Sequence, residues 1–310
     1  LCPIPNLYPY LSCLLILLTF VGVCFAAMSA TAMDLPSEAI EAQPFDKELA
    51  SQVPEAIRTS GRIRNAVTGS FSPYSITLPD RSIVGAATDL STAIGQMLGL
   101  KIEYFKNPSF SGTLMGIKAG RYDANLEPAG DYPDREKLYD FVDFAREYVI
   151  FAVKAGNPKK VNDLADTCGL KVSVMAGGSA ERVIKTQSEK CVKEGKAPVE
   201  VLAFDGQAAP AMALSSGRAD AFFSSQAPLS YFVKQSNGRL ELAAVGKSNG
   251  FGTIYQGATV NKGDPMGPVL LKCYQKLFAN GTYEKIMRKW GLENNLLKEP
   301  GINLGGKAKK

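Results

Sequence analysis

Ala119-Gly120-Arg121-Tyr122-Asp123-Ala124 returns 97 residues later as Ser216-Gly217-Arg218-Ala219-Asp220-Ala221. Each copy follows an apolar helical pattern, with Leu114, Met115 and Ile117 before the first and Met212, Ala213 and Leu214 before the second. Each leads into an apolar run, Ala124-Asn125-Leu126 and Ala221-Phe222-Phe223. The glycine suits the left-handed position that ends a helix. The run after the aspartate reads as a buried strand. One helix–turn–strand unit therefore occurs twice, and the chain is expected to form two α/β lobes with a cleft between them.

Strands and helices alternate around both units. Before the first come a strand over 62–68, a hairpin turn at Leu78-Pro79-Asp80-Arg81, and a helix through Leu90, Ala93, Ile94, Met97 and Leu98. Asp89 is the expected N-cap of that helix, and Gly99 stops it. A strand follows over 101–105, then a helix from Gly112. The second unit reads as strand 171–175, a Gly177-Gly178-Ser179 turn, a helix from Ala180, strand 200–204, a helix from Gln207 and strand 219–223. Residues 266–280 and 282–290 are helical in pattern. Such alternation implies Rossmann-like lobes built on parallel-rich sheets with helices on both faces. Crossings near Ile150 and in the Gly-rich stretch near Gly250 would make a two-strand hinge. Lobe 1 is then expected over 54–150 and 250–310, and lobe 2 over 151–249. Hinged lobes close on ligands, which bind beyond the carboxyl ends of the strands.

Composition narrows the chemistry. The 310 residues carry 35 Lys and Arg against 30 Asp and Glu, a mild formal charge of +5. No dense basic run points to nucleic acid. The chain has no His, which excludes Ser-His-Asp and Cys-His mechanisms and removes the commonest metal ligand. No metal and no cofactor is expected. The first 32 residues carry no charge, and Leu11 to Ala27 is continuously apolar before Ala30-Thr31-Ala32. This reads as a secretory signal peptide over 1–32, followed by an acidic, flexible leader over 33–53. Cys2, Cys13 and Cys24 lie in the signal segment, leaving Cys168, Cys191 and Cys273 in the mature chain. In an oxidising compartment Cys168 and Cys191 are expected to pair. Closing a loop of that size stabilises by about 3 kcal/mol on the entropic account. Cys273, within a helical pattern, is expected to be a buried free thiol.

Ile83-Val84-Gly85 with Asp89-Leu90, Leu98-Gly99-Leu100, and the two Gly-Arg-x-Asp-Ala phrases resemble the periplasmic amino-acid-binding proteins of ABC transporters. So do Arg135 with Asp140-Phe141, Asp163-Leu164 before Lys171-Val172, Asn280-Gly281-Thr282-Tyr283, and Lys289-Trp290-Gly291-Leu292. The likeness runs from about residue 54 to 295. It implies the type II periplasmic binding protein fold, the Venus-flytrap arrangement. It also implies capture of a small solute, delivery to a membrane permease, a periplasmic location and a monomer.

The resemblance nominates site residues position by position. Phe71 and Phe110 fall at family aromatics, whose ring faces would sandwich an aliphatic stem or a cation. Arg135 matches the arginine that grips the ligand carboxylate, which its planar fork fits bidentately. Gly178 and Ser179, opening a helix after a strand, would complete the carboxylate site from the second lobe. Two positions depart from the family. Ser225 stands where an Asp usually holds the ligand's α-ammonium, and Gly130 stands where a small hydroxyl residue usually helps. Glu127 stands where the family often has Ser. It is expected either to replace the ammonium anchor or to pair with Arg135 in the empty site. The ligand is thus an amino acid, a derivative, or a compound carrying its nitrogen elsewhere. Two other readings stay open: an enzyme on the same scaffold, like the cyclohexadienyl dehydratases with Glu127 as the cleft acid, and a soluble ligand-sensing partner of a receptor.

Overall fold

The two Gly-Arg-x-Asp-Ala phrases do the same mechanical work in the computed structural model, which describes residues 35–307. Asp123 accepts the Arg64 N–H at 2.7 Å and pairs with the Arg64 guanidinium, pinning the first strand of one lobe. Asp220 accepts the Lys171 N–H at 2.9 Å, pinning the equivalent strand of the other. Gly120 and Gly217 both have positive φ, as the turn into each strand requires. The signal-peptide reading and Cys2, Cys13 and Cys24 lie outside the described residues. Residues 38–307 belong to one compact unit.

Lobe 1 begins with α1 (Lys47–Ser51), α2 (Glu55–Ser60), β1 (Arg62–Val67), β2 (Ser70–Phe71), β3 (Ser75–Thr77) and β4 (Ile83–Val84). It continues with α3 (Ala86–Leu98), β5 (Lys101–Lys106), α4 (Phe110–Lys118), β6 (Asn125–Asp131) and β7 (Tyr139–Glu147). Lobe 2 holds β8 (Val149–Lys154), β9 (Lys171–Met175), α5 (Ser179–Lys193), β10 (Glu200–Phe204), α6 (Ala208–Ser215), β11 (Ala221–Ser225), α7 (Gln226–Gln235) and β12 (Leu240–Ala243). The chain then returns to lobe 1 as β13 (Ile254–Asn261), α8 (Met266–Ala279), α9 (Thr282–Lys289), β14 (Leu296–Ile302) and α10 (Leu304–Lys307).

The sheets are mixed rather than parallel-rich. In lobe 2 the order is β10-β9-β11-β8-β12, with β9 parallel to β10 and β11, and β8 antiparallel to β11 and β12. Lobe 1 has a parallel β1–β5 pair, bridged at Asn65 to Ala124, beside an antiparallel sheet ordered β14-β7-β13-β6. The antiparallel character arises at the crossings. The chain leaves lobe 1 on β7 and returns on its neighbour β13, so those two strands must run in opposite directions. Tyr148 alone separates β7 from β8, whereas residues 244–253 make the return.

Three local expectations need correction. The N-cap of α3 is Gly85, at φ 141° and packed on the Tyr74 carbonyl where a side chain would collide. Asp89 instead sits in the first turn and accepts from Lys289 Nζ and Trp290 Nε1 at 2.9 and 2.7 Å. The helix expected from Gly112 starts at Phe110, because Ser109 caps it by accepting the Gly112 N–H at 3.1 Å. The second half of the expected flexible leader is fixed in place. Leu49 and Val53 are buried, Asp46 caps α1, and Gln43 bonds Gln96 and Thr282.

Each lobe has its own apolar core. Val172, Val174, Phe151, Phe223 and Ile184 fill one face of the lobe 2 sheet. Phe222, Leu214 and Leu229 fill the other. Cys168 and Cys191 form a disulfide with Cα atoms 5.6 Å apart, tying the segment before β9 to α5. Cys273 is a free, buried thiol, pushed up to about 12 by burial.

Candidate functional site

The ends of β1, β9 and β11 and the buried length of β6 meet at one cavity between the lobes. All eight positions nominated from the sequence, Phe71, Phe110, Glu127, Gly130, Arg135, Gly178, Ser179 and Ser225, lie on its wall. Thr68, Asn125, Met175, Gln207, Ser224 and Gln256 also line it. The cavity volume is about 60 Å³, room for roughly four or five water spheres.

Arg135 follows β6 in a turn whose N–H groups bond the Tyr132 carbonyl. Its guanidinium lies 5.0 Å from the Phe110 ring centroid and 5.1 Å from that of Tyr132. Nη1 donates to the Gly130 carbonyl at 3.0 Å. Burial pulls the guanidinium below its ordinary value, although Tyr132, Asp134 and Asp131 nearby oppose that shift. Two rings and one carbonyl thus hold the fork in a single orientation.

Glu127 is not paired with Arg135. Its Oε2 accepts the Thr68 N–H at 2.9 Å and the Thr68 hydroxyl at 3.0 Å, and its Oε1 accepts the Gly69 N–H at 2.9 Å. The buried carboxylate therefore fixes the loop after β1, which supplies the partners that a buried charge requires.

The two nominated aromatics brace neighbouring side chains on the cavity wall. Phe71 stacks on Tyr74, with centroids 5.7 Å apart and rings 13° from parallel. Phe110 turns a face to Arg135. Each ring still reaches the cavity, but each also braces a neighbouring side chain.

Tyr132 explains the departure at Gly130. A Cβ on residue 130 would come within 2.5 Å of the Tyr132 ring. The Tyr132 hydroxyl lies 2.9 Å from Ser179 Oγ across the cleft, and its ring joins the lobe 2 core. The side chain that crosses from lobe 1 is thus Tyr132, two residues after Gly130.

Lobe 2 contributes Gly178 as the N-cap of α5, whose fifteen residues direct their positive end at the cavity. Ser224 Oγ donates to Gln207 Oε1 at 2.8 Å. Ser225 caps no helix N–H and lies 3.5 Å from Gln256 Nε2. Sequence reasoning missed Asn125, Gln207, Tyr132 and Gln256. Asn125 was within reach, because it precedes Glu127 by two residues in one strand and so shares its face. Gln256 was not, because only the β13–β6 register sets it beside Gly130.

Residues 63–293 match the model of the bacterial extracellular solute-binding proteins, family 3. The arginine-binding protein ArgT of Corynebacterium glutamicum is 30% identical over 261 residues, covering 83% of each chain. An ancestral arginine-binding protein solved with bound glutamine superposes with a TM-score of 0.66 at 28% identity, covering 75% of this chain and 99% of its own. An ancestral amino-acid-binding protein described as a precursor of cyclohexadienyl dehydratase shares the fold, with a TM-score of 0.67 at 23% identity over 76% of this chain and 98% of its own.

Proposed function

The chain belongs to the bacterial extracellular solute-binding proteins of family 3, and we propose that it captures an amino acid or amino-acid-like solute between its lobes and delivers it to the permease of an ABC transporter. The observation that carries this reading is Arg135, its guanidinium against the rings of Phe110 and Tyr132 and on the same cavity as the N-terminus of α5. A preoriented guanidinium and a helix N-terminus together suit a carboxylate. Relatives named for arginine, and one solved with glutamine, support an amino-acid-sized ligand.

Capture would proceed in two steps. The solute first meets Arg135 and the β6 wall. Lobe 2 then swings about Tyr148 and residues 244–253, bringing Gly178, Ser179 and Ser225 over it. The protein would act outside the cytoplasm as a monomer. The bonds filling Glu127 favour binding over catalysis, since a carboxylate accepting three hydrogen bonds is not placed as a free cleft acid.

A thermal-shift screen on protein unfolded and refolded to strip bound ligand tests the reading. A true ligand at a hundred times its Kd should add about 2.7 kcal/mol, a shift of a few degrees. Small-angle scattering should show compaction with the same ligand. If no carboxylate shifts the melt, the proposal fails. Turnover of prephenate or arogenate would replace it with the enzyme reading.

A further inference from the structure

We infer that the ligand's second polar group is an uncharged amide or urea rather than a cation, and that Asn125 and Gln256 select it. The inference rests on the cavity being the solute site. Only two ionisable side chains line the cavity, Glu127 and Arg135. The carboxylate of Glu127 is already bonded to Thr68 and Gly69. Arg135 supplies the positive end. At Ser225 there is no carboxylate to receive a second charge.

The uncharged groups are largely spoken for as well. Thr68 serves Glu127, Ser179 meets Tyr132, and Ser224 serves Gln207. Two of the partnerless buried polar atoms among the described residues belong to the cavity wall. Asn125 Oδ1 accepts the Glu127 N–H at 2.9 Å, but Asn125 Nδ2 has no protein partner. Gln256 contacts Ser225 through Nε2 at 3.5 Å, but Gln256 Oε1 has none. Both residues are more than nine-tenths buried, at 1% and 6% exposure, and both face the cavity.

A buried donor and a buried acceptor left unpaired each carry a desolvation cost that a bound group can remove. The complement of an N–H donor and a carbonyl acceptor on the wall of one cavity is a group presenting both a carbonyl oxygen and an N–H. Carboxamides and ureas have this pair; guanidinium and ammonium groups have donors only. A cation would satisfy Gln256 Oε1 and leave Asn125 Nδ2 facing another donor, and the one negative side chain on the wall, Glu127, already accepts three hydrogen bonds. Sites built around polar groups discriminate strongly against analogues that leave them unpaired.

The test uses matched pairs on the stripped full chain, by calorimetry: L-citrulline against L-arginine, and L-glutamine against L-glutamate. Each compound is also offered as its N-acetyl derivative, so that the state of the α-nitrogen does not decide the result. The amide or urea member of a pair should bind at least about tenfold tighter, one uncharged hydrogen bond's worth. Gln256→Leu should lower that affinity about tenfold, with the refolded melt showing that the variant folds. Gln256→Glu should reverse the citrulline–arginine order. Arginine binding equally or more tightly in the unaltered protein would overturn this inference and leave the solute-binding reading intact. If none of the eight compounds binds while another carboxylate shifts the melt, this inference falls and the solute-binding reading stands.

Discussion

Arg182 Nη1 on α5 lies 2.9 Å from Asp134 Oδ2, the one ion pair among the described residues that joins lobe 2 to lobe 1. Both side chains are more than half exposed, at 58% and 57%. Such a pair contributes about 0–1 kcal/mol to stability. It bridges the lobes with Arg182 5.9 Å from the centroid of the Tyr132 ring that meets Ser179, so its influence falls on closure. Arg182→Ala should move the melting temperature by about 2 °C or less. It should raise the ligand dissociation rate by up to about fivefold, measured by stopped flow. A large loss of melting temperature with an unchanged dissociation rate would reverse this assignment.

Arg135 should govern affinity through geometry as well as charge. Arg135→Ala is expected to weaken a carboxylate ligand by about 30-fold or more, the scale of removing one partner from a buried charge pair. Arg135→Lys keeps the charge but loses the planar fork between Phe110 and Tyr132, and should still lose at least about tenfold. Calorimetry separates the two. Full affinity in the lysine variant would show that the fork is unnecessary.

Glu127 should reveal itself in the empty protein. Glu127→Ala leaves the Thr68 and Gly69 N–H groups without their acceptor, at about 1–3 kcal/mol for each group left unpaired. The ligand-free melt should therefore fall by several degrees. Glu127→Gln retains one acceptor oxygen and should fall between. An unchanged empty melt combined with lost binding would make Glu127 a ligand contact only.

Acidity should stabilise the fold. Glu147, 2% exposed at the end of β7, is pushed up to about 7 by burial, against the lowering effect of N–H groups that include Tyr148. Asp131 is likewise raised to about 7 by burial, where it accepts the Gly305 N–H. A carboxyl group raised in the folded state binds its proton more tightly there than in the unfolded chain. The stability it contributes is complete below the ordinary carboxylate value and is lost as pH rises through about 7. The melting temperature should therefore decline between about pH 5 and pH 8. Glu147→Gln should flatten part of that decline and raise the melt at the alkaline end. An unchanged slope in this variant would remove Glu147 from the account.

What was legible in the sequence followed from local chemistry. The repeated phrase marks helix ends and strand starts through Gly120, Asp123, Gly217 and Asp220, and these positions act within a few residues of where they stand. The Cys168–Cys191 pairing lies within one local strand–helix segment. Every nominated cavity residue sits at or near a strand or helix end, where the periodicity changes. Apart from the ends of α3 and α4 and Asn125, the misses are matters of pairing at a distance. Antiparallel β13 and the partner of Gly130 at Gln256 depend on strands brought together across more than a hundred residues, and Tyr132 reaches Ser179, 47 residues on in the other lobe. Glu127 is the instructive case. Its position was readable, but its partners at Thr68 and Gly69 lie 59 and 58 residues upstream, and they decide what its charge does.

The sheet order β14-β7-β13-β6 sets the sequence in which the molecule can be finished. Strands β6 and β7 are not hydrogen-bonded to each other. They are joined by β13, which is made only after all of lobe 2. On a ribosome, residues 149–243 can complete their own five-stranded sheet while the earlier-made half of lobe 1 still waits for its central strand. The part of the protein synthesised first is therefore completed last. Until Ile254–Asn261 arrives, the polypeptide presents open strand edges that a chaperone could hold.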